Sequence, residues 1–237
     1  MRLRHPRKLI AGLPGTPRLW VMLSAACLLG YGFFELADYV FEGDHKVESD
    51  PTFDVAIGQY FQKFRSPMLT QVAIDLTALG SGSVLTVFAL LAYSAVFAAK
   101  DRRGFVHLSI ALLGSVLWPE LLKGLFERER PPGVLHLVPA AAFSFPSGHS
   151  FGAATCYATF AFFFARFVPR LRIEIFCYVL AAMIVLVVGL TRIYLGVHHA
   201  TDVLAGVSAG GAWAFLLAAL FSLWYRKPAG AAAAKAA

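Results

Sequence analysis

The sequence predicts an all-α polytopic membrane protein, with six transmembrane helices and a site of polar residues at the outward end of the bundle. Three observations carry this expectation. Hydrophobic residues fill 58% of the 237 positions and charged ones only 15%, far from the balance of a soluble domain. The apolar residues fall in runs of about 20, the length that spans a hydrocarbon core. The basic residues behind the formal charge of +7 gather in short clusters between those runs, as cytoplasmic turns do. That clustering argues for the bilayer as partner and against nucleic acid. Cys27, Cys156 and Cys177 sit inside apolar runs with neither metal nor disulfide spacing, and read as small core residues.

In chain order, residues 1–18 carry Arg2, Arg4, Arg7, Lys8 and Arg18 and form a basic, cytoplasmic N-terminus. Leu19 to Phe41 is the first span. Leu23 to Cys27 resembles a lipoprotein processing site, but the apolar run continues well past it, so the segment is expected to stay as an anchor. From Glu42 to Arg65 the composition turns polar. Ser49-Asp50-Pro51 offers a cap for a helix with Phe53, Ile57, Tyr60, Phe61 and Phe64 on one face and Asp54, Gln59 and Lys63 elsewhere. Such a helix suits the outer interface plane; a loop packed on the bundle is the competing reading. The second span lies within Met68 to Ala99 and ends before Lys100, Arg102 and Arg103, with Asp75 at its outer end. The third, Phe105 to Phe126, holds Trp118-Pro119, where a kink is expected. Polar residues from Glu127 to Pro139 precede a fourth span, Pro146 to Val168, with Ser144 as candidate cap. The basic turn Arg166, Arg170, Arg172 leads into the fifth span, Ile173 to Ile193. The sixth, Ala200 to Trp224, returns to Arg226 and Lys227. One domain, 19–227, results, with both termini cytoplasmic and an Ala-rich tail, 228–237, that lacks a packing pattern.

Three polar stretches then fall at one end. Thr191 to Asp202 sets Arg192, His198, His199 and Asp202 between apolar runs, and an ionisable cluster there is a functional-site hypothesis by default. His198 and Asp202 are four apart, the spacing of a histidine with an orienting carboxylate. Phe145 to Ser150 opens the fourth span with Ser147, Gly148 and His149, and a helix N-terminus with free amides, a hydroxyl and a glycine is an anion site. Taken alone, it is equally turn punctuation. Lys123 to Pro131 adds Lys123 and Arg130; alone, a solvated basic loop explains it. Together the three supply three cations and a helix N-terminus beside two histidines and a carboxylate, which suits binding a phosphate dianion and transferring its phosphoryl group. No cofactor is implied. A zinc site from His149, His198, His199 and Asp202 has no supporting ligand spacing.

These residues resemble the type 2 phosphatidic acid phosphatase family, the lipid phosphate phosphatases. Lys123 with Arg130-Pro131 matches the first family motif, Pro146-Ser147-Gly148-His149 the second, and Arg192, His198 and Asp202 the third. Thr191 stands where the third motif usually has serine. The resemblance covers about Met68 to Trp224. It implies that His198 attacks phosphorus to give a phosphohistidine, that Asp202 orients it, and that His149 protonates the leaving oxygen and then activates water. Lys123, Arg130, Ser147, Gly148 and Arg192 would hold the phosphate oxygens. If the following helix continues back through both histidines, His199 is displaced by about 100° from His198 and faces a different neighbour, in packing or interface hydrogen bonding. The expected substrate is a phosphorylated membrane lipid, undecaprenyl diphosphate first. Phosphatidic acid, phosphatidylglycerol phosphate, diacylglycerol diphosphate and a lipid A phosphate fit the same chemistry, and a bacterial-type plasma membrane is the expected location. A lipid transporter would also place charges in the membrane, but should show paired broken helices or repeated halves. A non-catalytic lipid-binding relative would be expected to lose His149 or His198.

Overall fold

The computed structural model describes residues 17–41, 52–140, 143–168 and 170–225, so most of the basic N-terminus, the Ser49-Asp50-Pro51 cap, Arg226, Lys227 and the Ala-rich tail lie outside the described residues. Among these, the secondary structure is helical, with no strand. The helices are α1 (Pro17–Phe41), α2 (Thr52–Gln62), α3 (Pro67–Thr77), α4 (Gly82–Ala98), α5 (Arg102–Phe126), α6 (Gly148–Phe167), α7 (Leu171–Tyr194) and α8 (Ala200–Tyr225).

Four of them, α1, α5, α7 and α8, are each long and apolar enough to cross a bilayer; α3 and α4, taken as one bent span, make a fifth. The span expected within Met68 to Ala99 is therefore a broken one. It breaks at a 3-10 turn, Ala78–Gly80, and the halves are bent by 42°. Gly80 and Gly82 flank Ser81, whose hydroxyl caps the new helix by accepting from the Val84 amide. Gly80 also lies where a Cβ would come within 2.6 Å of Val188 and 3.3 Å of the His149 Cβ, so the break seats this turn against the α6 start. The helix α5, in contrast, runs through Pro119.

The helix α6 falls short of that apolarity because it is the centre of the bundle. Twelve of its 20 residues are buried, among them Ser150, Gly152, Ala153, Ala154, Thr155 and Cys156, and they face α5, α7 and α8 instead of lipid. Its closest partner is α8 through the pair Gly206 and Gly210, four apart. A Cβ on Gly206 would sit 2.6 Å from the Ser147 carbonyl and 3.1 Å from the Ser150 Cβ. The backbones touch because neither glycine has a side chain, the small-xxx-small contact of membrane helices. Around this pair lies one core of Leu85, Cys156, Tyr157, Val185 and Val188, and another of Val96, Leu108, Phe162 and Phe163.

The bundle has chemically distinct ends. At one, Arg166 pairs with Asp101 at 3.0 Å and lies 3.7 Å over the Tyr225 ring, Arg103 donates to the Trp224 carbonyl, and Arg18 meets Glu174 at 2.7 Å. At the other end meet the C-termini of α5 and α7 and the N-termini of α6 and α8. With about 1.5 Å of rise per residue, helices of this length hold the two ends roughly 35 Å apart. The short α2 packs at the second end, against α7 and α8. Ile57 and Phe61 reach Ile193, Ala200 and Val203, while Phe53 and Tyr60 at the edge of that face and Phe64 just past the helix are exposed.

Candidate active site

The junction between α7 and α8 carries the histidines. Residues 195–199 are turn and bend, not helix, because Gly196 adopts φ +74°, a conformation that admits glycine readily. The turn is held from outside. Arg65 donates to the Tyr194 carbonyl at 3.0 Å, the Leu137 amide donates to the Leu195 carbonyl at 2.9 Å, and the Tyr194 hydroxyl bonds with Ser66 and Thr70. Helix α8 begins at Ala200, so Asp202 stands three residues past the cap position, His199. Its Oδ2 accepts from the His199 amide at 2.8 Å, the acid of a capping box reaching back.

Asp202 is fully buried and is the hub of the site. Oδ2 accepts from the Ser144 hydroxyl and faces two imidazoles, His198 Nδ1 at 3.5 Å and His199 Nδ1 at 3.3 Å. The expectation that His199 faces a different neighbour is thus corrected: a chain not yet helical at 198–199 lets one carboxylate meet both rings. The rings differ in their surroundings at Nε2. His198 Nε2 lies 3.2 Å from Arg130 Nη1, which requires its lone pair to point at the guanidinium and its proton to sit on Nδ1, toward Asp202. Burial presses the His198 pKa down to about 4, although the Asp202 hydrogen bond opposes it, so the ring is neutral at ordinary pH.

Cations surround this nitrogen. Arg130 donates to the carbonyls of Val197, at 2.6 Å, and Phe143, at 3.1 Å. Arg192, on the last turn of α7, is 7% exposed; its Nη1 donates to the Thr77 hydroxyl at 3.3 Å, and its buried Nε has no hydrogen-bond partner among the described residues. Lys123 pairs with Glu120 at 2.7 Å, and a Cβ on Gly148 would lie 3.5 Å from its Nζ, which puts this ammonium at the start of α6. His149, second residue of α6, feels the charges of Arg192, His198, Lys123 and Arg130 together. The cap of α6 is Ser147, not Ser144, and the helix begins at Gly148. Ser147 Oγ accepts from the Ser150 amide and hydroxyl, and its own amide donates to the Asp202 carbonyl at 2.9 Å. The expected site residues therefore converge, with the Ser147 hydroxyl buried in the cap. Asp75 does not join them: it is exposed and bonded to Gln71.

The profile of the PAP2 superfamily matches residues 104–226, over half of the chain. The chain belongs to the PAP2 superfamily. It is 36% identical over 159 residues to phosphatidylglycerophosphatase B of Bacillus subtilis, 66% of this chain and 77% of that protein. It is 37% identical over 123 residues to the lipid A 1-phosphatase of Rhizobium etli, 48% of each. The crystal structure of a transmembrane PAP2 type phosphatidylglycerolphosphate phosphatase from Bacillus subtilis superposes with a TM-score of 0.75 at 32% identity, covering 85% of this chain and 98% of that one. Aquifex aeolicus LpxE superposes with a TM-score of 0.53 at 25% identity, covering 76% and 99%. The family read from the motifs stands, and with it the enzyme class, a lipid phosphate phosphatase in a multi-pass membrane protein.

Sequence reasoning missed four members of this PAP2 site. Ser144, a candidate cap by its place before the fourth span, instead donates to Asp202. Thr77, the last residue of α3, accepts from Arg192 across the packing of α3 on α7. Arg128 and Asp54 are both buried: Arg128 donates to Asp202 Oδ1 at 2.6 Å, to the Thr201 hydroxyl at 2.7 Å and to Asp54 Oδ2 at 2.8 Å. The signal for Asp54 was an acid two residues into a helix otherwise apolar at 53, 55, 56 and 57.

Proposed function

We propose that the chain hydrolyses the phosphate monoester of a glycerol-based membrane lipid, phosphatidylglycerol phosphate first, through a phosphohistidine on His198. The observation that carries this reading is a neutral His198 whose Nε2 points into a cradle of Arg130, Arg192, Lys123 and the α6 N-terminus. Phosphate oxygens would take the hydrogen bonds of Arg192 and of the first α6 amides, and draw Arg130 off the Nε2 lone pair. Nε2 then attacks phosphorus as the bond to the lipid oxygen breaks, and His149 gives that oxygen its proton. The imidazolium left on His198 keeps its Nδ1 proton against Asp202. Neutral His149 next takes a proton from water, hydroxide oxygen attacks phosphorus, and the P–N bond returns its electrons to Nε2 with release of inorganic phosphate. A bound dianion favours the protonated His149 that the first step needs, which lets two histidines serve opposite ends of one reaction.

An apolar groove of about 370 Å³ between α1, α5, α6 and α8 supports a substrate with acyl chains, since Leu122 and Phe151 in its wall adjoin Lys123 and the α6 start. Two similar proteins, matched at 36% and 32% identity, carry the phosphatidylglycerol phosphate name and favour that lipid over a diphosphate. Undecaprenyl diphosphate has no residue of the site in its particular favour and enters as a competing substrate. The six-span layout adds α6 and the bent α3–α4 pair to the four long apolar helices. The basic end of the bundle supports cytoplasmic termini and an active site on the outer side of a bacterial inner membrane.

Phosphate release by the purified protein from phosphatidylglycerol phosphate, phosphatidic acid, a lipid A phosphate and undecaprenyl diphosphate, with and without a chelator, tests this. Fastest release from phosphatidylglycerol phosphate, unchanged by chelation, is expected. Preference for the diphosphate would move the substrate assignment, and loss of activity on chelation would overturn the metal-free mechanism.

A further inference from the structure

Arg128 lies between two buried carboxylates on different elements. Asp54 of α2 accepts from the Thr201 amide at 2.9 Å, from the Thr201 hydroxyl at 2.6 Å and from Arg128 at 2.8 Å, while Asp202 takes the other guanidinium nitrogen at 2.6 Å. All four side chains are under 9% exposed. Without Arg128, two anions would share the first turn of α8 in a dry interior, a strongly unfavourable arrangement. The arginine stays charged there: burial would depress it, but Asp202 and Asp54 outweigh burial and raise its pKa.

We propose that Asp54 and Arg128 are positioning residues that fix Asp202 against His198 and set how much negative charge the carboxylate presents to it. Arg128 engages Oδ1 alone, which turns Oδ2 to the imidazoles. It also draws charge from the carboxylate, so the His198 proton stays on Nδ1 and is not lost to Asp202 when the ring becomes cationic. Asp54 limits that withdrawal by sharing the guanidinium and clamps the α8 N-terminus through Thr201. The helix α2 thereby acts on the chemistry without touching the substrate. The inference rests on the proposed phosphohistidine mechanism.

The groups facing His198 are Arg130 from the α5–α6 connection, His149 from α6, Arg192 from α7 and Asp202 beside it, with Lys123 of α5 behind His149 and with Arg128 and His199 on Asp202. Changing the charge of the pair alone should therefore move His198 in opposite directions. Asp54→Asn removes a negative charge and shifts the acid limb of kcat/KM to lower pH; Arg128→Gln removes a positive one and shifts it to higher pH. The double variant restores the balance and brings the limb back between them. The same phosphatidic acid in detergent micelles serves every variant, so ionisation of the substrate cancels. Each single variant should lower kcat by about tenfold or more with KM little changed, as removal of an orienting partner does. Thermal unfolding in detergent identifies folded variants; should Arg128→Gln not fold, the limb of the double variant is expected above that of Asp54→Asn. An unmoved limb in folded Asp54→Asn overturns the proposal and leaves the pair purely structural. Activity surviving in His198→Ala would instead overturn the mechanism on which it rests.

Discussion

Two imidazoles on one carboxylate oxygen make His198 and His199 the sharpest test of the site. His199→Ala retains the backbone amide that caps α8 and loses the 3.3 Å contact of its ring with Asp202. A hydrogen bond to a charged acceptor contributes about 1.5–3 kcal/mol, and this long one belongs at the low end. About 1.5 kcal/mol corresponds to roughly a tenfold loss of kcat/KM. His198→Ala removes the nitrogen that faces Arg130 at 3.2 Å, and with it the nucleophile. Loss of a covalent nucleophile costs at least about 10⁴-fold. The assay is phosphate release from a lipid phosphate, paired with an alkaline quench, under which a phosphohistidine survives. His199→Ala should still yield the trapped phosphoenzyme and His198→Ala none. A folded His199→Ala without phosphoenzyme, beside an active His198→Ala, would exchange their roles and refute the reading of Nε2.

Arg192→Lys should lose about 10²-fold in kcat/KM despite its retained charge, because the planar fork that combines Nη1 on Thr77 with a buried Nε has no lysine equivalent; near-normal turnover would make the arginine a distant charge only. Vanadate, which takes a five-coordinate form like a transferring phosphoryl group, should inhibit competitively, and failure to do so would count against phosphoryl transfer at this cradle. A cysteine at Gly133, in a background with Cys27, Cys156 and Cys177 replaced, should react with an impermeant reagent from outside the cell; labelling from the cytoplasmic side alone reverses the orientation. Gly206→Ala should destabilise by roughly 1–3 kcal/mol through the clash with the Ser147 carbonyl and lower activity with it, whereas Gly30→Ala, with open space around it, should leave the melting temperature unchanged.

The long apolar helices were legible in the sequence because a lipid-facing helix must be apolar all round, and α1, α5, α7 and α8 closely follow the expected runs. The second span was legible as a span but not as a broken one, since a composition count cannot distinguish a continuous helix from two that break at Gly80-Ser81-Gly82. The site was legible where a residue type has few reasons to stand between apolar runs, as with Arg192, His198 and Asp202. It was illegible where a group works only through a distant partner: Asp54 and Arg128 are 74 positions apart. The mistaken orientation of His199 came from extending α8 backward by helical geometry, when Gly196 holds that segment in a turn.

The amide of Ser147 on the Asp202 carbonyl, backed by Gly206, welds the first turns of α6 and α8 into a single block. At Gly206 and Gly210 nothing can grow without parting the two backbones, so this seam resists change. A change of headgroup is then most readily met on the rim: on α2, on residues 131–140, and on the outer ends of α1 and α5. A tightly seamed reaction centre with an adaptable margin is a physical basis for a superfamily in which one relative is named for phosphatidylglycerol phosphate and another for lipid A.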